Sequence, residues 1–145
     1  MKIPPHIRVY GDQKYRDKKC PYEANEQVTF VNRVREAYPN TFGKILLHPK
    51  NEGQKKDGEF AAIAKDKAMG HLTLGASDII IPGSPAFVCE LKRRDVTLCE
   101  ITDDQIKYLA AAQAVGAFAC IALGADAATE AFNDWLVICK KHLTS

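Results

Sequence analysis

Hydrophobic and polar positions along the chain change period several times, and each change predicts an element. From about Pro21 to Tyr38, the residues Phe30, Val31, Val34 and Tyr38 recur at helical spacing, and Pro21 stands where proline suits a first helical turn. Pro39 and Asn40 end that helix. Phe42 to His48 reads as a strand, Pro49 to Gly58 as a polar loop, and Glu59 to Met69 as a short helix. Two β-rich runs, Ser77 to Pro82 and Ala86 to Lys92, flank Gly83, Ser84 and Pro85, the punctuation of a hairpin. Thr102 with Gln105 three residues on is a capping box opening a helix whose inner stripe carries Ile106, Leu109 and Ala110. Ala117 to Leu123 is an apolar strand ended by Gly124, and Phe132, Trp135, Leu136 and Cys139 form the stripe of a last helix that packs on the sheet. This order predicts an α/β fold, a central mixed β-sheet flanked by helices. Residues 1–20 are polar and basic and show no sustained period, so they read as an N-terminal arm or extended lead-in, which a partner could order, ahead of one domain over 21–145.

Composition narrows the class. A chain of 145 residues with 46% hydrophobic and 26% charged residues has the mixture of a single globular domain, large enough to fold without disulfides or a structural metal. The net charge of +2 hides an asymmetry: residues 1–67 hold 14 Lys+Arg against 9 Asp+Glu, and residues 68–145 hold 6 against 9. The basic half is the expected polyanion face. Five cysteines without a CxxC pair argue against a zinc cage, and with no secretory leader read from the sequence the expected compartment is reducing and cytoplasmic. No apolar run reaches the ~20 residues of a membrane span. The four histidines, His6, His48, His71 and His142, have no zinc-like spacing and receive no role.

The candidate chemistry lies in the hairpin. Alternation sends Asp78 and Ile80 to one face and Ile79 and Ile81 to the other, and it groups Val88, Glu90 and Lys92 opposite Phe87, Cys89 and Leu91. If Ile81 pairs with Phe87 and Ile79 with Cys89, the apolar faces match and Asp78 stands opposite Glu90, their Cβ atoms about 4.5–5.5 Å apart. Two like charges so placed are unfavourable unless a cation or a proton lies between them. A hard dication resolves the conflict, and Mg²⁺ suits because it uses one or two carboxylates and keeps waters. Lys92 sets an ammonium one side-chain repeat away, where it orients or helps deprotonate an attacking water, so the set is equipped for phosphodiester hydrolysis. The ordinary alternative is that Asp78 and Glu90 face solvent with Lys92 and Arg93 as cross-strand partners.

Gly75-x-Ser77-Asp78, then Glu90-x-Lys92, then Gln105 opening a helix, resembles the pattern of the VRR-NUC domain within the PD-(D/E)XK nuclease superfamily. Upstream, Glu23, Glu26 and Gln27 resemble that family's opening helix, and Pro49 to Gly53 its Asn/Gly loop; the similarity spans roughly residues 22–136. Ser77 departs from the family's proline at a position that shapes the start of the strand. The resemblance implies a restriction-endonuclease-like core and Mg²⁺- or Mn²⁺-dependent cleavage of DNA. Asp78, Glu90 and the Leu91 carbonyl would be ligands, with Lys92 beside the attacking water and Glu23 completing the acidic set. Helical geometry favours Glu23 over Glu26, because Glu23 and Gln27 lie near the centre of the apolar stripe and Glu26 toward its edge. Gln27 would hydrogen-bond a ligand water or a phosphate, or else is simply an amide at the core edge. Gln105 is kept as a catalytic residue beside its capping-box role, since both could hold in turn, and Asn51 and Gly53 would approach the scissile phosphate. Lys50, Asn51, Lys55, Lys56, Arg93 and Arg94 are the expected DNA contacts. The implied substrate is branched or flapped DNA of replication, recombination or repair in a bacterial or phage setting, with a homodimer as one way to hold it. The rival reading is a non-catalytic DNA-binding module that keeps the fold.

Overall fold

The computed structural model describes residues 3–49 and 73–144. The polar loop beyond Pro49 and the short helix expected over Glu59 to Met69 lie outside the described residues. Strands β1 (Arg8–Tyr10), β2 (Ile79–Ile81), β3 (Phe87–Lys92) and β4 (Phe118–Leu123) form one sheet in the order β1-β4-β3-β2. β4 runs parallel to both β1 and β3, and β2 is antiparallel to β3, so the sheet is mixed. Helices α1 (Glu23–Ala37), α2 (Phe42–Ile45), α3 (Asp103–Ala114) and α4 (Ala125–Thr144) accompany it. The architecture is the expected α/β class.

Local chemistry accounts for most of these elements. In α1 the acids Glu23 and Glu26 occupy the first turn and Arg35 the last, the arrangement that the helix dipole favours. The helix starts two residues after Pro21, with Tyr22 as its extended N-cap, and stops at Tyr38, which precedes Pro39 and so disfavours helical backbone. α3 opens on the full capping box of Thr102 and Gln105. Its backbone lies so close to Gly75, at φ +73°, that a Cβ there would meet the Asp104 carbonyl.

The sheet separates two apolar layers. Ile79, Ile81, Phe87, Cys89 and Leu91 share one cluster with Phe30, Val31 and Val34 of α1 and Phe132, Trp135 and Leu136 of α4. Val88, Ile121 and Leu123 face the other way, toward Leu109 of α3. Trp135 is fully buried, packs on Phe42, Phe87 and Phe132, and donates its indole N–H to the Pro85 carbonyl at 2.7 Å, which ties α4 to the hairpin turn. Four of the five cysteines are buried, all five are free thiols, and no described helix is long and apolar enough to cross a membrane.

Two expectations are corrected. Phe42 to His48 is not a strand: residues 42–45 are the short helix α2, and only Leu47 pairs, through a bridge to Ile80. Its cause is the close approach of Gly43, whose N–H donates to the Tyr38 carbonyl at 2.8 Å; a Cβ there would lie 2.6 Å from Arg35 Cα, so the chain turns tightly back on α1. The lead-in expected as an arm ahead of the domain instead contributes a strand to the sheet, because Arg8–Tyr10 pairs in register with Cys120–Ala122 and Ile7 is buried.

Gly124 makes the turn from β4 into α4 at φ +96°, and a Cβ there would meet the Glu26 carboxylate and the Arg94 side chain. Gly124→Ala is expected to cost about 1–3 kcal/mol of unfolding free energy from backbone strain, measured by urea denaturation at constant m. A loss below ~0.5 kcal/mol would show that the turn relaxes freely.

Candidate active site

The hairpin register is Ile79 to Cys89, Ile80 to Val88 and Ile81 to Phe87, which continues to Asp78 opposite Glu90. Asp78 and Glu90 are fully buried and Lys92 is 4% exposed, so these are not solvent-facing strand charges. Asp78 Oδ2 accepts the Leu91 backbone N–H at 3.0 Å, fixing one carboxylate at the strand pairing. Lys92 Nζ lies 3.4 Å from Glu90 Oε1 and 3.3 Å from Glu23 Oε1. Glu23, the first residue of α1, has a side chain 37% exposed and marks where the cluster opens to solvent.

Among the described residues, three acids and one ammonium occupy this space, and they do not balance. Burial first, and then the Asp78 charge, push the Glu90 carboxyl up to about 9, against the opposing pull of Lys92. Among the described residues, no hydrogen-bond donor is in bonding geometry with either Glu90 oxygen. With its pKa pushed to about 9, the carboxyl holds a proton near neutral pH and can share it with Asp78. Burial also raises Glu23, with Lys92 pulling the other way and Asp78 adding to the rise. For Lys92, burial works against the ammonium, but Glu90, Glu23 and Asp78 together outweigh it and hold the lysine above its ordinary value.

Gln27 belongs to the same constellation. Its Nε2 donates to the Leu91 carbonyl at 3.3 Å, and its Oε1 lies 3.2 Å from Nε2 of His48. His48 received no role from spacing, and only the turn made by α2 brings it here. Glu26 is more deeply buried than Glu23, contrary to the helical-wheel argument, but for a separate purpose. Its Oε2 accepts the Ala125 N–H at 2.9 Å and the Arg94 Nε–H at 3.2 Å, capping the start of α4. Glu23, not Glu26, faces Lys92. Ser77, where the resembled family has proline, is buried with no hydrogen-bond partner for its hydroxyl among the described residues.

Arg93, Arg94 and Gln105 have their hydrogen-bond partners outside this cluster. Arg93 donates to the carbonyls of Cys20 at 2.7 Å and Pro21 at 3.1 Å, and Arg94 pairs with Glu26 and with Asp126 at 3.6 Å, so both guanidiniums serve as internal clamps. The carbonyl oxygen of the Gln105 side chain accepts the Thr102 N–H at 2.9 Å, which gives this residue the capping role. Lys50, Asn51, Gly53, Lys55 and Lys56 lie outside the described residues.

Among the described residues, no group of three His, Cys, Asp or Glu side chains closes into a ready metal cage. The donor set still fits a hard dication of the Mg²⁺ kind, which needs only one or two carboxylates beside water and carbonyl oxygens. The buried Glu90 oxygens, which accept no hydrogen bond among the described residues, are the observation that carries this fit. Asp78 and the Leu91 carbonyl would supply the neighbouring oxygens.

No family model matches the chain, and no curated protein matches it. A solved structure of a VRR_NUC domain protein is similar, with a TM-score of 0.60 at 18% identity, covering 80% of this chain and 88% of that one. At that identity the likeness establishes a shared fold.

Glu90 gives a pH signature. Its carboxyl sits near 4.5 in the unfolded chain and about 9 in the folded one, so between these values the folded state holds a proton that the unfolded state has lost. The stability that this group contributes is full below about 4.5 and is lost as pH rises through 9. With a chelator present, the wild-type Tm is expected to fall between pH 6 and pH 9 more than that of Glu90→Gln. Parallel curves would contradict the buried, proton-holding carboxyl.

Proposed function

We propose that this protein is a divalent-metal-dependent DNA endonuclease of the VRR-NUC kind within the PD-(D/E)XK superfamily. The observation that carries the reading is the fully buried Asp78 and Glu90 pair at the end of the hairpin, with Lys92 against it, on the fold of a VRR_NUC domain protein. A protein that only holds DNA has no use for two buried carboxylates that repel each other at a cost to folding.

Asp78, Glu90 and the Leu91 carbonyl would hold Mg²⁺ or Mn²⁺, with Glu23 at the rim. Bound there, the ion supplies positive charge to the phosphoryl oxygens and lowers the pKa of the attacking water. Lys92, held between Glu90 and Glu23, orients that water and stabilises the charge that builds on the phosphoryl group as water attacks phosphorus in line with the leaving oxygen. No covalent enzyme intermediate forms. Gln27, bonded to the Leu91 carbonyl, positions that backbone oxygen, and His48 fixes the Gln27 amide. Branched or flapped DNA of replication, recombination or repair is the proposed substrate.

Labelled linear, flapped and four-way-junction DNA, incubated with Mg²⁺, Mn²⁺ or EDTA, tests this directly. Cutting is expected with either metal and none with EDTA, and Asp78→Ala and Lys92→Ala are each expected to lower the rate by about 10²–10³-fold. Undiminished cutting by both folded variants would remove the site assignment. Binding without cutting under every condition would favour the non-catalytic module.

A further inference from the structure

Residues 12–20 carry four cations, Lys14, Arg16, Lys18 and Lys19, against two acids, and all four cationic residues are exposed. Both acids are engaged in the segment's own turns. Asp12 accepts the Lys14 N–H at 2.8 Å, and Asp17 accepts the Lys19 N–H at 2.9 Å and the Tyr15 hydroxyl at 3.1 Å. Among the described residues, Lys14, Lys18 and Lys19 form no ion pair.

This segment is fastened beside the acidic cluster. The Asp17 N–H donates at 2.9 Å to the buried carboxylate of Asp95, and Arg93 clasps the carbonyls of Cys20 and Pro21. Arg93 and Asp95 follow Lys92 by one and three positions, so the cations are held at the end of β3 that bears Lys92. Hydrogen bonds from the Thr97 hydroxyl, and then from the Asp17 and Thr97 backbone, keep Asp95 below the usual carboxylate range, so this anchor stays charged near neutral pH.

Tyr22 completes the surface. It is 70% exposed, and the Arg93 guanidinium sits 4.9 Å from its ring centroid. It makes no side-chain cap hydrogen bond, and the next residue is Glu23 at the mouth of the cluster. Its ring is therefore steadied by a cation rather than by the core, and it offers a flat aromatic surface to solvent.

We propose that residues 12–22 form a binding site for a single strand of nucleic acid, with the lysines on its phosphates and Tyr22 stacked on an unpaired base. Lysine ammoniums suit phosphates as point charges, and an aromatic face accepts any base whose own face is free. A duplex keeps its bases stacked on each other, so it engages the cations alone. The location beside a reacting phosphate rests on the nuclease reading above, whereas the binding itself is measured without cleavage.

Fluorescence anisotropy in EDTA tests the site with the full chain, a labelled single-stranded oligonucleotide, the same strand carrying abasic positions, and a duplex. Tyr22→Ala is expected to weaken single-strand binding by about 5- to 150-fold per stacked base, leave duplex binding within about twofold, and abolish the preference for intact over abasic strand. Tyr22→Phe is expected to bind as wild type does. The double variant Lys18→Gln/Lys19→Gln is expected to weaken both ligands and flatten the salt dependence by about 0.7 per lysine for the single strand. Equal affinity of the wild-type protein for intact and abasic strands would overturn the proposal even if Tyr22→Ala failed to fold, as would an unchanged salt slope in the lysine variant. Strand binding as described with no cleavage under any metal would instead defeat the nuclease reading and leave this site standing.

Discussion

Among the described residues, three carboxylates share one ammonium at the end of β3, and two of the four groups have no access to solvent. Asp78 and Glu90 are wholly buried, and Lys92, between Glu90 and Glu23, is the cation that faces them. Such an arrangement is unfavourable in a folded protein unless a proton or a further cation makes up the deficit. The raised Glu90 carboxyl is the proton answer, and a dication is the other. Function, on this account, is the exchange of one for the other.

The rest of the molecule holds that imbalance in place. The cross-hairpin register brings Asp78 to Glu90, and the indole of Trp135 secures the hairpin turn from α4. The parallel pairing of β3 with β4 runs to Lys92 and Leu123, so Lys92 is backed by strand on its far side. Glu26 ties α1 to the first N–H of α4, which sets the helix so that Glu23, one turn earlier, reaches Lys92. Arg94 adds a second strap by pairing with both Glu26 and Asp126. Acids of similar sequence context thus divide between a structural cap and the buried acid–lysine cluster.

Elements whose signals are local were legible in the sequence. The hairpin register followed from matching apolar faces, the α3 start from Thr102 and Gln105, and the α4 face from a regular stripe. Phe42 to His48 misled because a short apolar run has no decisive period, and the tight approach of Gly43 to α1 is a tertiary fact. β1 is three residues long and exists through its pairing with β4, more than a hundred positions away. The same limit applies at the site. Alternation gave Asp78, Glu90 and Lys92 a common face, but the partners of Glu26, Arg93 and Arg94, and the contact of His48 with Gln27, depend on chain reversals that no spacing encodes.

Binding of Mn²⁺ to the wild-type chain and to Asp78→Asn, by titration calorimetry in two buffers of different ionisation enthalpy at pH 7.5, is the most direct test of this charge imbalance. The account predicts at least one ion bound by the wild type with release of protons, because Glu90 must give up its proton as the ion arrives, and loss of that event in Asp78→Asn. Equal binding by both proteins, or binding without proton release, would contradict it.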